Sequence, residues 1–138
     1  MIKTITKEEL LTMPADEYMN DVQLAYFKGI LTQQKSEILA DMENVKKELI
    51  GSDKNADMND VASTYESQQL ELKRVDRERK LLDKINQTLA NINNGEYGYC
   101  EVTGDEIGLK RMIARPTATM TIEAKERQEF KEKTVGSN

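Results

Sequence analysis

Residues 60–93 read DVASTYESQQLELKRVDRERKLLDKINQTLANIN. Apolar side chains recur along this stretch at intervals of three, four or seven residues, at Leu72, Val75, Leu82, Ile85, Leu89 and Ile92. Such spacing places them on one face of an α-helix, where they form the narrow apolar seam of a coiled coil. The stretch therefore predicts a long amphipathic helix rather than a ligand site.

A second stretch of the same kind lies upstream, over residues 20–49. Its apolar side chains also share one helical face, at Phe27, Leu31, Ile38, Met42, Val45 and Leu49. Asn20 is a suitable N-cap, and the polar, glycine-containing segment at residues 51–55 predicts a loop. We expect two antiparallel helices, each roughly 45 Å long at 1.5 Å per residue, that form a coiled-coil hairpin.

Shorter elements flank the predicted hairpin. Thr6 and Glu9 have the spacing of a capping box, which predicts a short helix over residues 7–13 that Pro14 ends. Gly95 is suited to stop the second long helix, and Thr121 is suited to cap a last helix over residues 122–133. The predicted segments are an N-terminal helix and connector (1–19), the hairpin (20–94) with its tip at about 51–62, a compact segment (95–121) and a C-terminal helix with its tail (122–138).

The compact segment is rich in glycine but has enough apolar side chains for a small core. The candidates are Tyr97, Tyr99, Val102, Ile107, Leu109, Met112, Ile113 and Met120. The predicted fold class is thus mainly α, with a hairpin, a small globular domain and a C-terminal helix.

The composition limits the classes of function. Hydrophobic residues make up 38% and charged residues 33% of the 138 residues, a balance poorer in apolar groups than an average globular domain. The net charge of −5 argues against sequence-independent nucleic-acid binding, which neutralises phosphates. No stretch approaches the roughly 18–20 apolar residues of a membrane span, and the single cysteine excludes an internal disulfide. We therefore expect a cytoplasmic protein.

The chain contains no histidine. This removes the commonest general base and metal ligand, and it excludes Ser-His-Asp and Cys-His mechanisms. No glycine-rich phosphate loop is present, and most carboxylates are predicted on solvated helix faces. We therefore expect a protein that is not an enzyme.

Two sets of charged residues have both a structural and a functional interpretation. Asp57 and Asp60 precede the second long helix, where carboxylates act as acidic caps, but the end of a rigid rod would also deliver them to a buried site. The basic residues Lys84, Lys110, Arg111, Arg115 and Lys125 form either a solvated face or a site for a phosphorylated ligand or an acidic partner.

Three stretches resemble the DksA/TraR family of transcription factors. They are EYMNDVQL (17–24), DRERKL (76–81) and the segment that contains YGYCE (97–101), EIGLKR (106–111) and ARPTA (114–118). The resemblance covers about residues 15–133. It implies a hairpin with a small zinc-finger-like domain, and a factor that binds RNA polymerase through its secondary channel instead of binding promoter DNA in a sequence-specific way. Members destabilise open promoter complexes and act with ppGpp in the stringent response, repressing ribosomal RNA promoters and activating some biosynthetic ones. We expect this chain to act as a monomer.

The resemblance also assigns residues. The tip motif Asp-x-x-Asp-x-Ala falls on Asp57, Asp60 and Ala62, and the contacts to ppGpp fall on Lys84, Arg115 and Lys125. The four zinc-binding cysteines of the family fall on Cys100, Thr103, Thr121 and Ala124, of which only the first is a cysteine.

A structural zinc needs about four strong ligands, which these four positions do not supply. We therefore expect no structural zinc and a zinc-independent member of the family. Cys100 is then either a buried small hydrophobe or a redox or transient-metal site.

Two other functions are compatible with the sequence. One is a scaffolding coiled coil with no polymerase role, in which Asp57 and Asp60 only cap the helix. The other is a secondary-channel factor that promotes cleavage of backtracked RNA with an acidic tip, although the Asp-x-x-Asp-x-Ala pattern points away from it.

Overall fold

The computed structural model of the chain describes residues 5–52 and 61–136. These residues form five α-helices and a 3₁₀ turn, and they contain no strand beyond one antiparallel bridge between Tyr99 and Glu106. The elements are α1 (Lys7–Leu11), the 3₁₀ turn (Ala15–Glu17), α2 (Asp21–Ser52), α3 (Val61–Asn94), α4 (Leu109–Ala114) and α5 (Ile122–Gly136). The prediction of a mainly α chain with two long helices and a C-terminal helix is confirmed.

The chain divides into two compact units. The hairpin unit, Thr32–Gln87, contains the greater part of α2 and α3. The terminal unit combines Met1–Leu31 with Thr88–Asn138, and it therefore contains the short helices, the beginning of α2 and the end of α3.

The hairpin unit is held by the predicted apolar seam. Val45 of α2 and Ile85 of α3 are buried, with 1% and 0% of their surface exposed. Five other seam residues of this unit are half-buried, namely Ile38, Met42, Leu49, Val75 and Leu82. Burial of one such side chain contributes about 1.5–3 kcal/mol relative to its exposure, so this stripe is the main attraction between the two helices.

Two predictions for the hairpin unit are wrong in detail. Helix α2 continues through Gly51 and Ser52, which we predicted as loop, because one glycine costs a long helix only about 1 kcal/mol and does not end it. Leu72, predicted in the stripe, is 49% exposed. It lies at the edge of a groove of about 710 Å³ that Leu39, Ile50 and Val75 also line.

The predicted helix caps are confirmed. Thr6, Asn20 and Thr121 each accept, through a side-chain oxygen, the backbone N–H of the residue three positions later, at 3.1, 2.9 and 3.1 Å. Helix α3 ends at Gly95, whose φ of +77° lets the N–H of Glu96 donate to the carbonyl of Asn91 at 2.9 Å, the pattern of a Schellman motif. The C-terminal ends of α1 and α5 differ from prediction. Helix α1 ends at Leu11 instead of residue 13, and α5 extends to Gly136 instead of ending at residue 133.

The terminal unit has a core of aromatic and aliphatic side chains. Phe27 of α2 is fully buried and packs on Tyr97 with ring centroids 5.3 Å apart. Leu10 of α1 and Met112 of α4 are also fully buried, and these two short helices pack against each other. Of the predicted small core, Tyr97 and Met112 are buried and Ile107, Leu109, Ile113 and Met120 are half-buried.

Two residues predicted in this core are exposed instead. Tyr99 is 39% exposed and Val102 is 67% exposed. Tyr99 lies in the bridge with Glu106 and faces away from the buried Cys100, because neighbouring residues of extended backbone face opposite sides. Val102 lies in the turn at residues 101–103, where the alternation of a strand does not apply.

No helix in the part of the chain that the structure describes is both long enough and apolar enough to cross a membrane.

Gly98 leads to a testable prediction, because a Cβ atom there would lie 2.7 Å from Met19 Cε and 2.9 Å from the Tyr18 hydroxyl. Gly104 is a matched control, since its φ of +78° resembles the +88° of Gly98 but no atom lies within 4 Å of its Cβ position. We expect Gly104→Ala to cost about 1–2 kcal/mol for the left-handed backbone, and Gly98→Ala to cost a further 1–3 kcal/mol or so for overpacking. Urea unfolding measures both, and equal losses would contradict the close contact.

Candidate functional site

The turn that carries Cys100 is closed by backbone hydrogen bonds. The N–H of Cys100 donates to the carbonyl of Asp105 at 2.8 Å, and the N–H of Gly104 donates back to the carbonyl of Cys100 at 2.9 Å. The N–H of Ile107 donates to the carbonyl of Gly98 at 2.8 Å. The turn directs the thiol of Cys100 inward, where the residue is only 3% exposed.

The structure brings the four predicted zinc positions together. The sulfur of Cys100 accepts hydrogen bonds from the hydroxyl of Thr103 and from the backbone N–H of Thr121. Thr121 in turn caps α5 by accepting the N–H of Ala124, whose methyl group is buried. Hydrogen bonds therefore connect three of the four predicted zinc positions directly to one another, and Ala124 is connected to them through Thr121.

These hydrogen bonds change the acidity of Cys100. Burial raises the pKa of the thiol, but the hydroxyl of Thr103 and the backbone N–H groups of Thr121, Thr103 and Val102 outweigh burial and lower the pKa to about 6. Donors that converge on a sulfur favour its anionic form. A thiol with this pKa favours the anionic form at neutral pH, and its hydrogen bonds connect the turn at Thr103 with Thr121 at the start of α5.

The donor set at this site does not fit zinc. One thiolate, two hydroxyls and one methyl group fall short of the four strong ligands of a structural zinc. No cluster of three or more cysteine, aspartate or glutamate side chains suited to a metal occurs within residues 5–52 and 61–136.

The hydrogen bonds of Tyr18 were not predicted from the sequence. Its hydroxyl donates to the carbonyl of Gly98 at 2.6 Å and accepts the N–H of Gly108 at 3.0 Å, so it links both ends of the Cys100 turn to the connector. Its ring also packs edge-on against Tyr99, with centroids 5.7 Å apart. Gly98 and Gly108 on either side of the turn indicate backbone groups that need a hydrogen-bond partner. The sequence does not identify a tyrosine 80 positions away from Gly98 as that partner.

A buried glutamine holds the connector that carries Tyr18. Gln23 is fully buried, and its side-chain oxygen accepts the N–H of Met19 at 2.8 Å. Its amide nitrogen donates to the sulfur of Met13 at 3.6 Å. Met19 has a φ of +55°, unusual for a non-glycine residue, and Gln23 supports the turn there. No periodicity predicted this buried polar group.

The predicted ppGpp residues are distributed over both units. Lys84 is exposed on α3 in the hairpin unit. Arg115 is exposed at the end of α4, and Lys125 is half-buried on α5, both in the terminal unit. Arg111, another basic candidate, is half-buried and donates to the carbonyl of Met120 at 3.2 Å, which gives it a structural role.

The predicted tip residues lie mostly outside the described part of the chain. Asp57 and Asp60 fall between residues 52 and 61, and Ala62 belongs to the first turn of α3. Their assignment to the tip therefore stays a prediction.

Comparison with known sequences shows two matches. Residues 23–92 match the family described as DnaK suppressor protein DksA, N-terminal domain. Residues 95–130 match the prokaryotic DksA/TraR C4-type zinc finger, even though three of the four cysteine positions predicted in this chain hold other residues.

Individual relatives are similar over nearly the whole chain. The RNA polymerase-binding transcription factor DksA of Caulobacter vibrioides is 45% identical over 130 residues, which cover 94% of this chain and 92% of that protein. The protein of the same name from Escherichia coli K12 is 40% identical over 121 residues, covering 87% and 80%. Among solved structures, transcription factor DksA2 of Pseudomonas aeruginosa has a TM-score of 0.85 and 43% identity, covering 93% of this chain and 99% of that one.

The low pKa of Cys100 predicts a pH dependence of stability. The folded thiol ionises at a lower pH than the unfolded one, so its contribution to the free energy of unfolding is complete above the unfolded pKa and is lost as the pH falls towards the folded pKa of about 6. We expect this contribution to grow between about pH 6 and about pH 8.5.

Cys100→Ser is the control for this prediction, since it keeps an acceptor but does not titrate in that range. The pH-dependent difference in urea midpoint between the two proteins measures the effect, and the thiolate absorbance gives the pKa directly. A thiol that titrates at or above its ordinary value would contradict the hydrogen-bonded thiolate.

Proposed function

Because the chain belongs to the DksA family, we propose that it is a transcription factor that binds RNA polymerase, destabilises open promoter complexes and responds to ppGpp. The observation that carries this proposal is the 45% identity over 94% of the chain to an RNA polymerase-binding transcription factor. That similarity spans both the hairpin unit and the terminal unit. The proposed role is regulatory and not enzymatic, and a polymerase partner would place the protein in the cytoplasm.

We propose that the hairpin (20–94) delivers its tip, at about 51–62, into the secondary channel of the polymerase. Asp57 and Asp60 would then act near the catalytic centre. The length of α2 and α3, with 32 and 34 residues, supports this role, because helices of about 50 Å are long enough to reach a buried site. The segments 1–19, 95–121 and 122–138 would remain outside the channel.

The proposed ppGpp contacts are Lys84, Arg115 and Lys125. All three are cations, and charge-assisted hydrogen bonds to phosphate are among the strong ones in proteins. Arg115 is exposed where α4 ends, so its planar guanidinium is accessible to a diphosphate or to an acidic polymerase surface.

We further propose that the terminal unit folds without zinc. Three features support this proposal. They are the hydrogen bonds of Cys100 with Thr103 and Thr121, the two hydrogen bonds of the Tyr18 hydroxyl, and the core around Phe27 and Met112. A cell would then keep the factor's activity when zinc is scarce.

Substitution at the tip tests the proposed action. We expect Asp60→Asn to reduce the destabilisation of open complexes strongly while changing the free energy of unfolding by no more than about 0.5 kcal/mol, because Asn and Asp serve about equally well as helix N-caps. Asp83→Asn, an equal change of charge at an exposed position of α3, is the control. The half-life of open complexes with purified polymerase is the measurement. Normal activity of Asp60→Asn would reject the tip assignment. No effect of the wild type on the half-life would favour a scaffolding coiled coil, and stimulated transcript cleavage by the wild type would favour a cleavage factor.

Substitution of the basic residues tests the effector site. We expect alanine at Lys84, Arg115 or Lys125 to raise the ppGpp concentration for half-maximal inhibition of a ribosomal promoter about tenfold or more, because each loses a charged hydrogen bond worth about 1.5–3 kcal/mol. Binding to polymerase without ppGpp should change little. Lys110→Ala, at an exposed position of α4, is the control. An unchanged ppGpp response in all three variants would reject the assignment.

A further inference from the structure

One guanidinium in the hairpin unit is surrounded by three carboxylates. Arg74 of α3 forms an ion pair with Asp41 of α2. It also lies 3.4 Å from Glu71, one turn before it, and 3.6 Å from Glu78, one turn after it. Three acidic groups around one basic group leave an excess of two negative charges if all are ionised.

Two oxygens of this cluster are buried and lack a hydrogen-bond partner. They are Asp41 Oδ2 and Glu78 Oε2, which belong to carboxyl groups on opposite helices within hydrogen-bonding reach of each other. Two ionised carboxylates in this position repel each other and leave both oxygens unsatisfied. A single proton removes both problems, because a protonated carboxyl donates to its neighbour.

We propose that Asp41 and Glu78 share one proton across the two helices of the hairpin, and that this shared proton stabilises the hairpin in mildly acidic conditions. Glu78 carries the proton and donates it to Asp41. Asp41 stays ionised and accepts from Arg74 as well, so the pair has one negative charge beside one guanidinium.

The pKa shifts of Glu78 and Asp41 agree with a proton that Glu78 carries and Asp41 accepts. The hydrogen bond with Asp41, together with burial, raises the pKa of Glu78. The hydrogen bond from Glu78 and that from Arg74 lower the pKa of Asp41. The charged groups that face the pair are Arg74 on α3, which also binds Glu71, and the two partners themselves, one from each helix.

The directions of these two pKa shifts determine how the pair changes the stability of the hairpin with pH. A raised pKa of Glu78 means that its contribution appears as the pH falls through that pKa. A lowered pKa of Asp41 means that its contribution is lost only as the pH falls further, through the lower pKa. The pair therefore stabilises the hairpin most between the two values, where it holds one proton.

This pair gives different roles to two carboxylates of the motif at residues 76–81. Glu78 faces α2. Asp76, two residues earlier, instead forms exposed ion pairs with Arg79 at 2.8 Å and Lys80 at 3.2 Å on its own helix. Asp76→Asn and Glu78→Gln thus each remove one carboxyl group from the same motif but affect the shared proton differently.

Carbon-13 NMR of the side-chain carboxyl carbons in the full chain tests the proposal directly. We expect Asp41 and Glu78 to titrate together in two linked steps, one above the ordinary range of a glutamate and one below that of an aspartate. Two independent titrations near ordinary carboxyl values would overturn the proposal.

Thermal unfolding of the two variants gives a second test. The melting temperature of the wild type should rise relative to that of Glu78→Gln as the pH falls from neutral towards the ordinary pKa of a glutamate, because the glutamine amide donates to Asp41 without taking up a proton. Asp76→Asn should retain the pH response of the wild type. The same pH profile for both variants would overturn the shared proton.

Discussion

The terminal unit depends on the hydroxyl group of Tyr18. This one group accepts the N–H of Gly108 and donates to the carbonyl of Gly98, so it fixes the two ends of the Cys100 turn to the connector before α2. A backbone group left without its partner in such a half-buried place costs about 1–3 kcal/mol. Burial raises the pKa of Tyr18 above its ordinary value, so the hydroxyl, which is protonated at neutral pH in any tyrosine, also keeps its proton for donation in mildly alkaline solution.

The interactions of Cys100 continue from this turn into the last helix. The thiol binds Thr103 within the turn and the backbone of Thr121 beyond it, and Thr121 caps α5. In a zinc finger the metal joins such segments. In this chain the hydrogen bonds of Cys100 with Thr103 and Thr121 connect the turn to the start of α5.

The sequence predicted the helices better than it predicted the contacts between them. Seven-residue spacing identified α2 and α3, and local signals identified the caps Thr6, Asn20 and Thr121, because these features depend on nearby residues. The exposure of Leu72, the outward positions of Tyr99 and Val102, and the buried Gln23 depend on distant parts of the chain, which periodicity does not encode.

The residues of the candidate sites also differ in how far the sequence alone predicts them. Ligand counting alone predicts that the zinc positions do not hold zinc, and the structure shows the hydrogen bonds that Cys100 forms there with Thr103 and Thr121. The tip and ppGpp residues came from family resemblance, since exposed carboxylates and lysines have no distinctive local pattern. The ion cluster around Arg74 combines residues from both helices, and only their packing brings Asp41 to Glu78.

The measurement that tests most directly how the terminal unit is held is thermal unfolding of the purified protein, with and without a strong zinc chelator, alongside a determination of bound metal. We expect no stoichiometric zinc and the same melting temperature in both conditions, with a lower melting temperature for Tyr18→Phe. Stoichiometric zinc, together with a large drop in melting temperature on chelation, would contradict a terminal unit held by Tyr18, Cys100 and their hydrogen bonds.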